Sequence, residues 1–102
     1  MEEVLIAYTT LAQTEEASTL VRSLVDQKLV ACATLLSAVQ SLCPWQGRVE
    51  TATEMLVMMK TLAGGIQRLS LPELLAVPVV KWLPAYLDWV RDETCPDISR
   101  PS

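Results

Sequence analysis

Three cysteines, Cys32, Cys43 and Cys95, are the soft-metal ligands of this 102-residue chain, and no histidine accompanies them. Thiolates favour copper(I), zinc and other soft ions. Without imidazole, a histidine-based metal centre, a Ser-His-Asp triad and a Cys-His pair are all excluded within one chain. Cys32 has two readings, a soft-ion ligand or a small buried hydrophobe, because free cysteine is among the most buried residue types. Cys43 precedes Pro44-Trp45 and is either a reactive or metal-binding thiol or a packing residue, while Cys95 is a thiol near the C-terminus. Lys60 is a candidate for drawing an anion or for a surface salt bridge. Trp45, Tyr86 and Trp89 each offer a large apolar body with one polar handle, which suits an interface, a core or ligand stacking. No H-E-x-x-H arrangement and no phosphate-binding glycine motif is present, so the expectation is that the protein is not an enzyme.

The length fits one domain. Apolar residues make up 51% of the chain and charged residues 20%, more apolar material than one small core requires, so an oligomer is expected. The formal charge is -4, and no Lys/Arg cluster supplies the footprint of a nucleic-acid binder. No 18-residue apolar run encodes a membrane span, so no direct membrane insertion is expected. Met1-Glu2-Glu3 leads straight into a strand-like segment, which is wrong for a signal peptide. Three unevenly spaced cysteines make no disulfide framework, and a reducing, cytoplasmic location is the expectation.

Val4 to Thr10 is rich in β-branched and aromatic types with apolar residues on both faces, as in a central strand. Thr14 caps a helix over Glu15 to Gln27, with Glu15 and Glu16 in its first turn and Ala17, Leu20, Val21, Leu24 and Val25 on one stripe. Leu29 to Leu36 is strand-like and continues through Val39 to Trp45 after a kink at Ser37-Ala38. A turn at Gln46-Gly47-Arg48 joins it to a buried strand over Thr53 to Lys60. Ala63-Gly64-Gly65 opens a helix poorly, and Ile66 to Leu71 offers one or two turns. Leu74 to Val80 is strand-like, with Pro78 pointing to an edge. Pro84 starts a last helix with Leu83, Leu87 and Val90 on one face. The order β-α-β-β-(α)-β-α predicts an α/β fold, a ferredoxin-like two-layer sandwich with an antiparallel sheet and a shortened second helix. Residues 1–96 form the domain and 97–102 a flexible tail. The second crossover is the weak point. A helical return along a 23 Å strand needs about 15 residues at 1.5 Å each, so a shifted or exchanged last strand is the competing outcome.

Several ordered segments resemble the CutA-like proteins, a family associated with divalent-cation tolerance. They are Tyr8-Thr9-Thr10, Leu29-Val30-Ala31-Cys32-Ala33, Trp45-Gln46-Gly47-Arg48-Val49-Glu50, Val57-Met58-Met59-Lys60-Thr61, Pro72-Glu73-Leu74-Leu75-Ala76-Val77-Pro78-Val79 and Ala85-Tyr86-Leu87-Asp88-Trp89-Val90. The resemblance extends to Glu93. It departs from the family in two places: around ten residues of the second helix are missing, with the family histidine, and Cys43 stands where an aromatic is usual.

The resemblance implies a non-enzymatic homotrimer, similar in architecture to the nitrogen-regulatory PII proteins, with a role in tolerance or binding of copper or another divalent metal ion. Cys32 and Glu73 are the candidate metal ligands, and Glu50, Glu54 and Asp88 are further acidic residues near a family-like cleft. The trimer is expected to use strand edges and apolar side chains, with the hairpin from Val39 to Lys60 contributing much of the contact. The alternative is a PII-like regulatory or scaffold trimer that binds a small molecule or protein without a metal site.

Overall fold

The computed structural model describes residues 3–69, 71, 74–81 and 83–94. Glu73, Trp82, Cys95, the domain limit at 96 and the tail 97–102 lie outside them.

The first strand, β1 (Val4–Ala12), alternates strictly from Leu5 onward: Leu5, Ala7, Thr9 and Leu11 are buried, while Ile6, Tyr8 and Thr10 are half-buried. Helix α1 (Glu15–Asp26) follows. Its N-cap Thr14 accepts from the Ala17 N–H at 3.1 Å, which satisfies one of the free donors of the first turn. Val21 and Leu24 are buried against the sheet, but Leu20, expected on the same stripe, is exposed.

Strand β2 (Cys32–Trp45) starts three residues later than the apolar run at Leu29 suggested. Lys28 turns the chain with φ 59°, and the N–H groups of Leu29 and Val30 then bond the Leu24 carbonyl at 3.0 and 3.4 Å. These residues close the helix end before pairing begins. The expected kink is a β-bulge: Leu36 faces Leu56 and Val39 faces Glu54, so Ser37 and Ala38 together oppose Met55. Ala38 has φ 59°, and its N–H bonds the Gln13 side-chain oxygen, which anchors the bulge to the end of β1.

Gln46 and Gly47, with φ 49° and 85°, make the tight turn into β3 (Arg48–Leu62). Positive φ at both central residues matches the right-handed twist of the flanking strands. A six-residue 3-10 helix (Ala63–Arg68) takes the place of a second crossover helix, and β4 (Leu75–Pro78) and α2 (Pro84–Glu93) complete the fold. The 3-10 helix includes the three residues Ala63-Gly64-Gly65.

The sheet order is β2-β3-β1-β4, antiparallel throughout, which is the ferredoxin-like arrangement. The short crossover reaches because the return is short. β3 ends opposite Val4, and β4 begins opposite Tyr8, four residues away, or roughly 13 Å along β1. No shifted or exchanged strand is needed, and Pro78 sits on the sheet edge as expected.

The main core lies between one sheet face and α1, with Ala7, Leu11, Met55, Val57 and Met59 meeting Val21, Leu24, Val30 and Leu69. Helix α2 covers part of the opposite face, where Leu87 and Val90 join Val4 and Ala31. Leu83, expected on that apolar face, is instead the exposed N-cap residue. Among the described residues no helix is long and apolar enough to cross a membrane.

Candidate functional site

Cys32 is the first residue of β2 and lies opposite Lys60 in the β2–β3 ladder. Both therefore stand on the sheet face that α2 partly covers. Tyr86, in the first turn of α2, closes the group: the Lys60 ammonium donates to the Tyr86 hydroxyl and sits 5.0 Å from its ring centroid. Trp89 stacks on Tyr86 one helical turn later, with centroids 5.6 Å apart and planes 30° off parallel. A spacing of three residues on a helix puts the two rings side by side. The Tyr86 hydrogen bond holds the Lys60 pKa above its ordinary 10.5, and the Cys32 thiol adds to the effect; partial burial works against both.

The remaining sequence candidates fall elsewhere. Cys43 lies opposite Glu50 far out on the hairpin, and both border a concavity with Trp45 and Glu54. Cys43 is separated from Cys32 by roughly 35 Å of strand, so the two thiols cannot share an ion within one chain. Asp88 pairs with Arg91 at 3.6 Å across one helical turn and points its charge there. Trp45 is exposed at the hairpin end, contrary to a core role within one subunit, and Tyr86 and Trp89 are exposed on one side despite their stacking. Among the described residues, no group of three or more Cys, Asp or Glu side chains is arranged to hold a metal ion. Glu73, the second candidate ligand, lies outside them.

Lys81 is the residue that sequence reasoning missed. It lines a small apolar pocket together with Lys60 and Tyr86. Nothing in the local pattern around Lys81 signals this, since the pairing depends on where α2 settles across the sheet.

The sequence pattern of the CutA1 divalent ion tolerance protein matches residues 5–93, most of the chain. This chain belongs to the CutA1 family. The divalent-cation tolerance protein CutA of Thermus thermophilus is 32% identical over 104 residues, covering 92% of this chain and 99% of that protein. Against the chloroplastic CutA of Arabidopsis thaliana, 27% identical, the chain spans 55% of that protein's length. The fold agrees closely with solved CutA structures. CutA1 from Oryza sativa superposes with a TM-score of 0.86 at 26% identity, covering 92% of this chain and 95% of that one. CutA from Xylella fastidiosa gives a TM-score of 0.81 at 35% identity, covering 91% and 99%.

Proposed function

We propose that this chain serves divalent-cation tolerance, with copper foremost, as a non-enzymatic homotrimer in the cytoplasm. The match to the CutA1 family over residues 5–93 carries this reading. The subunit's surface supports the assembly. Leu36, Leu75 and Val77 are exposed on the sheet face that α2 leaves open, and Leu42, Trp45 and Val49 are exposed on the projecting hairpin. Apolar area of this extent favours burial against further copies. β2 and β4 are edge strands, and three copies can pair such edges around a closed ring. Residues 1–96 would form the subunit, with Cys32 and Glu73 as its metal ligands.

Calorimetric titration of the reduced protein with Cu(I) and Cu(II), beside Cys32→Ser, tests the ion role. Saturable binding that weakens on substitution is expected; binding that is absent, or unchanged by the substitution, removes Cys32 from the mechanism. A trimer mass in reducing native buffer is expected, weakened by Trp45→Ala. A monomer mass at every concentration overturns the assembly.

One observation favours a second reading, a PII-like trimer that binds a small molecule instead of a metal. The Cys32 thiol has a lysine ammonium as its cross-strand neighbour, and that charge repels cations.

A further inference from the structure

Two of the chain's three lysines, Lys60 and Lys81, border one pocket of about 130 Å³. Among the described residues its remaining walls are apolar, built from Val4, Ile6, Val79, Leu87 and Val90, with Tyr86 at its side. We propose that this pocket binds a small organic monoanion: a carboxylate with a compact apolar body, its head held by Lys60, Lys81 and the Tyr86 hydroxyl. The proposal deepens the second reading above by naming the ligand class, and it requires only one subunit.

Size sets the first limit. An apolar cavity of about 150 Å³ accommodates benzene, so this pocket admits a body of about one six-membered ring. Charge sets the second. Among the described residues, the ion pairs join Lys28 to Glu93, Arg48 to Glu50 and Arg91 to Asp88, and none involves Lys60 or Lys81. Two lysine side chains border one apolar space, and their positive charge disfavours a cation there. A single carboxylate is drawn to that charge and forms charge-assisted hydrogen bonds with lysine ammonium groups. Donor chemistry completes the match. The Tyr86 oxygen accepts from Lys60, which leaves the phenolic proton free to donate to a ligand oxygen. Lys60 is charged at neutral pH, as any lysine with a pKa at or above 10.5 is. Five aliphatic walls offer inorganic phosphate nothing, so the apolar body is part of the requirement.

The test titrates the full chain with benzoate, its neutral isostere benzamide and inorganic phosphate, followed by protein-observed NMR with the native mass measured on the same samples. Benzoate is expected to saturate with shifts centred on Ile6, Val79 and Leu87. Benzamide and phosphate are expected to bind about tenfold more weakly or worse, the loss of one charge-assisted contact or of the apolar body. Lys60→Gln and the exposed Lys81→Gln are each expected to weaken benzoate by about tenfold with the circular dichroism spectrum unchanged. Lys81→Gln alone decides the matter should Lys60→Gln fail to fold. Benzamide or phosphate matching benzoate, or no saturation by benzoate, overturns the proposal. A trimer that ignores benzoate sinks this ligand class and leaves the trimeric reading standing, whereas a monomer that binds it upholds the pocket and removes the trimer.

Discussion

The Lys60 ammonium donates to the Tyr86 hydroxyl, joining the end of β3 to the first turn of α2. Tyr86→Phe keeps the ring and removes the acceptor. Because the pair is exposed, the loss in urea unfolding is expected to stay below about 1 kcal/mol at neutral pH. The sign of its pH dependence follows from the Lys60 pKa, which folding raises above 10.5. The contribution is fully present below the unfolded value and disappears as pH rises through the folded one. The stability gap between wild type and Tyr86→Phe should therefore be flat up to about pH 10 and shrink above it. A gap that widens with alkalinity would contradict this.

Met59 is fully buried and faces the α1 layer, while its neighbour Met58 is half-buried on the opposite face. Met59→Ala leaves a cavity in the main core and is expected to cost about 2–5 kcal/mol. Met58→Ala, which removes contacts at a partly wet surface, is expected to cost less than about 1.5 kcal/mol. Paired denaturation curves check the alternation, and equal losses would refute it.

The Thr61 hydroxyl donates to the Leu29 carbonyl at 2.8 Å, holding the segment before β2 against the end of β3. Thr61→Val leaves that carbonyl without this partner and is expected to cost about 1–3 kcal/mol in chemical denaturation. Gly65 lies beside the same pair, and an added Cβ would stand 3.5 Å from the Thr61 hydroxyl and 3.8 Å from the Leu29 oxygen. Those are ordinary contacts. Gly65→Ala is expected within about 0.5 kcal/mol of wild type.

Gly47 has φ 85° with nothing within 4 Å of a built Cβ. Any cost of Gly47→Ala is therefore backbone strain alone, expected at about 1–2 kcal/mol. Thermal unfolding reads the loss, and an unchanged midpoint would show that the turn relaxes into another type.

Much of this protein was legible from local pattern, because local pattern has local physical causes. Thr14 marks the start of α1 by supplying an acceptor to a free N–H, and Ser37-Ala38 breaks β2 where small residues permit a bulge. Gly47 marks the hairpin because only a turn of positive φ matches the strand twist there. The segments shared with CutA-like proteins identified the family from the same residues. Other features were settled by distance through space. The reach of the short crossover depended on β4 pairing only with Leu5 to Tyr8, a register no segment encodes by itself. Leu20 and Leu83 follow their helical stripes yet remain exposed, because exposure depends on what lies opposite. Lys60 is far in the chain from Lys81 and Tyr86 and borders the same pocket as they do because α2 crosses the sheet face opposite α1. Periodicity shows which side of an element is apolar, but only tertiary packing decides which elements those sides meet.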